Sequence, residues 1–150
     1  SEKRESKRDA GRTSFLYLGL EADRPLAGGA RYCLPRVDEE IISRGRERHN
    51  VRERSGGVNR LTIYIPGRSV SNVHARFRSN GAAWSVEDAA STNGTLVNGA
   101  RIDNAVLGSG DLVEMGHAFF SIRSSGSAGT EGAPDLDSRE LLSRPTALST

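Results

Sequence analysis

The chain contains one cysteine, one methionine, one tryptophan and only 5% aromatic residues in a length of 150. A single cysteine, Cys33, rules out an internal disulfide and every metal motif built on several cysteines, which fits a reducing compartment. Its neighbours Tyr32 and Leu34 are strand formers, so a packing role is expected for it in preference to a reactive thiol. Three histidines, His49, His74 and His117, are scattered without the carboxylate or cysteine spacing of a ligand set, so neither a metal nor another cofactor is expected. So few aromatics leave few platforms for stacking nucleic-acid bases. No apolar run approaches the roughly 20 residues that cross a bilayer, and the N-terminus lacks the apolar core of a signal peptide. A soluble, cytoplasmic protein without a membrane partner is therefore expected. Charge of one sign is also missing: 21 Lys and Arg against 19 Asp and Glu leave a formal +2, and acidic residues are interleaved throughout. Despite a pI near 9.0, no bulk field for gathering nucleic acid is indicated.

Helical periodicity is absent as well, save for a turn or two that Asp137 to Leu142 could form. Short apolar or alternating runs take its place: Phe15–Leu20, Arg31–Leu34, Glu40–Arg44, Leu61–Ile65, Val73–Arg78, Trp84–Glu87, Leu96-Val97, Arg101-Ile102, Leu112–Met115 and Phe119–Ile122. Period-2 alternation such as Leu61, Ile63, Ile65 against Thr62, Tyr64 marks strands with one face on a core. Many short strands punctuated by glycine and polar turns describe an all-β fold, an antiparallel β-sandwich of two sheets. The charged residues 1–13 and the Ser/Gly-rich residues 124–150 cannot bury enough apolar area to offset ordering, so a domain over 14–123 between a disordered segment and a flexible tail is expected. Residues 47–60, with Arg48, Arg52, Arg54 and Gly56-Gly57, lose all periodicity and read as a long mobile loop. The chain begins at Ser1 and stops after Thr150, which reads as a piece of a longer protein.

Two Asn-Gly pairs stand close together in Ser91-Thr92-Asn93-Gly94-Thr95-Leu96-Val97-Asn98-Gly99. Each favours positive φ at both turn positions, so two tight turns around a short strand are expected. Gly45-Arg46 and Ser71-Asn72-Val73-His74 likewise fall at strand edges. An arginine fork, hydroxyl groups and an asparagine amide are the groups that bind a phosphate dianion: guanidinium donates bidentately, and hydroxyl and amide donors fill the remaining oxygens.

In order and spacing these three motifs resemble the forkhead-associated (FHA) domain family, over about residues 14–123. The resemblance implies a sandwich of about eleven strands, of the FHA/SMAD-like kind, whose loops bind a phosphothreonine segment of a partner protein, a Ser/Thr kinase substrate or the kinase itself. It implies that Arg46 and Ser71 contact the phosphate, that Asn72 lies beside the peptide, and that Thr92 and Asn93 contact phosphate and peptide backbone. Gly45, His74 and Gly94 would support the site. The family setting is cytoplasmic kinase signalling, with this domain as the sensory part of a larger bacterial transcription regulator whose other domains could contact nucleic acid. One departure is the long connection 47–60, whose arginines either extend the phosphate surface or form a solvated variable loop. Thr130 and Thr146 are candidate sites for self-recognition.

Three rival functions differ in chemistry. A serine hydrolase would use Ser71 or Ser91 with His74 and Asp88, but neither serine sits on a nucleophile elbow, so no enzyme is expected. A nucleic-acid binder would use the basic loop with Arg76 and Arg78. A phosphate-independent interaction module would hold an unmodified partner in the same loops.

Overall fold

The computed structural model describes residues 13–125 and 134–138. Thirteen strands run in the order β1 (Thr13–Glu21), β2 (Ala30–Cys33), β3 (Glu39–Arg44), β4 (His49–Ser55), β5 (Val58–Ile65), β6 (Ala75–Ser79), β7 (Trp84–Asp88), β8 (Thr95–Val97), β9 (Ala100–Ile102), β10 (Asn104–Leu107), β11 (Val113–Met115), β12 (Ala118–Ser125) and β13 (Leu136–Asp137). They form two sheets, β13-β2-β1-β12-β11-β8-β9 and β10-β7-β6-β3-β5-β4. The all-β sandwich expected from the alternating runs is the fold observed. Among the described residues all pairings are antiparallel except one, β3 with β5, where Glu39 to Arg44 run beside Arg60 to Ile65.

The alternating positions fill the space between the sheets. Leu61, Ile63 and Ile65 of β5, Ile42 of β3, Phe77 of β6 and Val86 of β7 meet Leu16, Leu18, Met115 and Phe120 from the opposite sheet, all at 1% exposure or less. The rings of Phe77 and Phe120 lie 6.3 Å apart at a tilt of 58°, joining the sheets at mid-core. Burying each such ring is worth roughly 2–3 kcal/mol. Cys33 is buried and unpaired, as a packing residue would be.

Three segments depart from the sequence reading. Residues 47–60, expected as a mobile loop, form most of a β-hairpin: His49–Ser55 pairs residue for residue with Val58–Tyr64, and Gly56-Gly57 make the turn with φ of 59° and 79°. Alternation was invisible there because β4 is an edge strand with every residue exposed, so no core face imprints a pattern on its sequence. Asn104–Leu107, absent from the strands expected from the sequence, pairs with β7 as the other edge. Residues 134–138, assigned to a flexible tail, return to the body, where Leu136-Asp137 pair with Ala30-Arg31 of β2. The helical turn considered for 137–142 starts on a strand residue and otherwise lies, beyond Ser138, outside the described residues, as do Thr130, Thr146 and residues 1–12.

The two Asn-Gly pairs also separate. Asn98 (φ 50°) and Gly99 (φ 84°) are both left-handed and close the β8–β9 hairpin, as the primed turn requires. Of the Asn93-Gly94 pair only Gly94 has positive φ, at 83°, because side-chain hydrogen bonds shape that loop in place of a hairpin turn.

Candidate functional site

The connections β3–β4, β5–β6 and β7–β8 meet at one end of the sandwich. His74 fastens them. Its side chain is fully buried, its Nδ1 accepts from the Ser71 N–H at 3.1 Å, and its Nε2 donates to the Gly94 carbonyl at 2.8 Å. Its own N–H donates to Ile42 O of β3 at 2.8 Å. One residue thus joins all three segments, and both ring nitrogens are engaged by backbone groups.

Asp88, at the end of β7, shapes the 91–95 loop. Its carboxylate accepts from the Ser91 N–H at 3.1 Å, from Ser91 Oγ at 2.5 Å and from Thr95 Oγ1 at 2.8 Å. Ser91 Oγ in turn accepts from the Gly94 N–H at 2.9 Å. Partial burial works to raise the Asp88 carboxyl, but the hydrogen bonds from Ser91 and Thr95 outweigh it and hold the group below the ordinary aspartate value. This arrangement does not assemble the hydrolase triad, since Asp88 holds Ser91 and Thr95 while His74 has no free nitrogen to act as a base.

Pinned in this way, the loops turn polar groups outward. Ser71 Oγ accepts from the Thr92 N–H at 3.0 Å, which leaves its own proton free to donate. Asn93 donates from Nδ2 to Ser69 O at 3.1 Å, tying the 91–95 loop to the segment before Ser71. Thr92, Asn93 and Asn72 are exposed. Gly94 has a φ of 83°, a conformation that disfavours any side chain, and the Arg101 guanidinium covers it from β9. Gly45 is equally constrained, since a Cβ would come within 2.7 Å of Tyr64 Cβ. Ser71, Asn72, Thr92 and Asn93, with the supports Gly45, His74 and Gly94, are thus brought together.

Arg46 is not among them. It is exposed and makes no hydrogen bond or ion pair among the described residues. The arginine that reaches the cluster is Arg44, whose N–H donates to Ser71 O at 3.0 Å and whose Nη2 donates to Asn72 Oδ1 at 3.1 Å. Strand register explains the difference. β3 ends at Arg44, locked by Ile42 opposite Ala75, whereas Arg46 falls two residues later in the turn toward β4. In the sequence Ile42-Ser43-Arg44 places an inward apolar residue, a small residue and an arginine at a strand end, without the glycine that marks Gly45-Arg46. Arg101 was also missed, since an isolated arginine in a three-residue strand carries no pattern.

The arginines of the 47–60 segment divide. Arg54 is exposed. Arg52 donates to both oxygens of Asp135, at 2.8 and 2.9 Å. The Arg48 side chain is wholly buried, held by Glu21 at 2.9 Å and by Asp137 at 2.7 Å. Arg48 and Arg52 therefore serve the returning C-terminal segment. Among the described residues no group of histidine, cysteine and carboxylate side chains could hold a metal ion, and no helix is long and apolar enough to cross a membrane.

Residues 43–116 match the family model of the FHA domain, beginning at the residue before Arg44. The glycogen accumulation regulator GarA of Mycobacterium tuberculosis is 35% identical over 88 residues, covering 59% of this chain and 46% of GarA. The chain spans between a third and a half of the curated relatives it matches first. A solved FHA domain from a study of phosphothreonine-dependent FHA interactions superposes with a TM-score of 0.51 at 27% identity, over 74% of this chain and 95% of that one. The FHA domain of FhaA, solved in complex with the intracellular domain of Rv3910, superposes equally, with a TM-score of 0.51 at 27% identity over 73% of this chain and 99% of that domain. FhaA itself is a protein of Mycobacterium tuberculosis.

Proposed function

Because the chain carries an FHA domain over residues 43–116, we propose that it is a phosphothreonine-reading module that recruits or regulates a partner protein and performs no catalysis. The observation that carries this reading is the convergence of Arg44, Ser71 and Thr92 on one exposed surface, with the Ser71 hydroxyl proton unspent. In this reading Arg44, in place of Arg46, supplies the charge that holds the phosphate. Ser71 donates its hydroxyl to the same phosphate, Thr92 and Asn93 take the adjacent phosphate oxygen and the peptide backbone, and Asn72 keeps Arg44 aimed. Charge-assisted hydrogen bonds of this kind are worth roughly 1.5–3 kcal/mol each where water is partly excluded. His74, Asp88, Gly45 and Gly94 hold the loops in position without touching the ligand.

Support comes from two sides. The fold neighbours include an FHA domain studied for phosphothreonine-dependent interactions and one bound to a partner's intracellular domain. The relatives are named as regulators. A Ser/Thr kinase substrate, or the kinase itself, is the partner class this chemistry fits, and a cytoplasmic setting follows from kinase signalling. Placement within a larger bacterial transcription regulator extends the same reading by family analogy alone.

A phosphate-independent interaction module is the competing reading, because the same loops could hold an unmodified segment. Calorimetric titration of one threonine peptide in phosphorylated and unphosphorylated forms separates the two. Binding of the phosphorylated form alone is expected; equal binding of both would favour the alternative.

A further inference from the structure

β2 is the outer strand of its sheet apart from the five residues Pro134–Ser138, and the way it holds them resembles a ligand site. The pairing is backbone augmentation of an open edge, with Leu136 opposite Arg31 and Asp137 opposite Ala30. Specificity comes from side chains. Asp135 accepts from the Cys33 N–H at 2.7 Å and from Arg52 Nη2 at 2.8 and 2.9 Å. Asp137 is gripped bidentately by Arg48, at 3.0 Å from Nε and 2.7 Å from Nη2. Ser138 Oγ donates toward the Ala27 and Gly29 carbonyls, at 3.2 and 2.8 Å, in a space that a Cβ on Gly28 would fill. Leu136, between the two aspartates, points away at 40% exposure.

The charges show what the surface requires. Within the body Glu21 bridges Arg24 and Arg48. Asp137 adds a second carboxylate to the wholly buried Arg48, and Asp135 pairs with Arg52. A buried guanidinium needs a bidentate anion, because its planar donors have no water to turn to.

We propose that the β2 edge with Arg48 and Arg52 is a second peptide-binding site, separate from the loop site, that reads an extended Asp-x-Asp-Ser segment. Residues 135–138 of this chain are its ligand in cis, and the same chemistry takes such a segment in trans when the internal one is withdrawn. The alternating carboxylates fall on one side of a strand, where both arginines stand, so spacing by two is the recognition rule.

The test uses the full chain carrying D135N and D137N, titrated with a nine-residue peptide of residues 132–140, Gly-Ala-Pro-Asp-Leu-Asp-Ser-Arg-Glu, and with the same peptide bearing asparagine at both aspartates. The variant should bind the acidic peptide at least tenfold more tightly than the asparagine peptide. Wild type, already occupied, should bind the acidic peptide at least tenfold more weakly than the variant does. Exchange of the Cys33 amide should be slow in wild type, fast in the variant and slow again with peptide. A folded variant that ignores the peptide, or equal binding by wild type and variant, overturns the proposal. Arg52→Gln leaves the buried Arg48 pairs in place and should alone speed Cys33 exchange at least threefold; unchanged exchange overturns it as well. A phosphothreonine peptide without Asp-x-Asp reports the loop site in the same samples, so failure there does not count against this site.

Discussion

Arg44 Nη2 lies 3.1 Å from Asn72 Oδ1, a hydrogen bond that joins the end of β3 to the connection leading into β6. It holds a long, exposed cation at the mouth of the loop cluster before any ligand arrives, which reduces the side-chain entropy that binding must overcome. Asn72→Ala should therefore weaken a phosphothreonine peptide about threefold to tenfold while leaving thermal stability within about 0.5 kcal/mol, since the residue is exposed. Paired calorimetric titration and thermal melts check both halves.

His74→Ala acts in the opposite manner. It leaves the Ser71 N–H and the Gly94 carbonyl without partners inside a buried space. A loss of about 2–4 kcal/mol in denaturant unfolding is expected, together with weaker peptide binding as the two loops separate.

Asp88 gives the loop a pH dependence. Burial would raise its carboxyl, but the bonds from Ser91 and Thr95 prevail and lower it. The native carboxyl then binds its proton less tightly than the unfolded one. Its stabilising contribution is complete above the ordinary aspartate value, about 3.9, and is lost as pH falls through the lowered native value. Asp88→Asn should cost stability at pH 7 and flatten the decline of stability below about pH 4, read from urea unfolding across pH.

Glu40 behaves in reverse. It sits fully buried in β3 with both carboxylate oxygens unbonded among the described residues, and burial pushes its carboxyl well above the ordinary range. The native state therefore binds this proton more tightly than the unfolded chain. Its stability contribution is full below the ordinary glutamate value, about 4.3, and declines as pH rises toward the native value. Glu40→Gln, which resembles the protonated form, should stabilise the fold at pH 7 by about 1–3 kcal/mol, seen as a higher melting temperature, and leave the melting temperature nearly unchanged at pH 4. An unaltered melting temperature at both pH values would contradict this account of Glu40.

What the sequence revealed of this fold follows burial. Leu61, Ile63 and Ile65 print their period because one side of β5 meets the core; Val51, Arg52 and Glu53 on the exposed edge strand print none. Ser71, Thr92 and Asn93, named from local motifs, lie together in the structure, whereas Arg44, which joins them from a strand end, carries no local motif. Asp88 was noticed for a catalytic role, and its actual work, shaping 91–95, required the hydrogen-bond geometry. The return of Asp135 and Asp137 to Arg52 and Arg48 joins positions more than 80 residues apart, and nothing in a composition of glycine, serine and acidic residues announces it.

The central claim, a phosphate held by Arg44 and Ser71, is tested most directly by titrating one phosphothreonine peptide against wild type, Arg44→Ala and Arg46→Ala. Loss of more than tenfold in affinity, about 1.4 kcal/mol, is predicted for Arg44→Ala, with less than threefold for Arg46→Ala. Equal binding by wild type and Arg44→Ala, or a loss confined to Arg46→Ala, would contradict it.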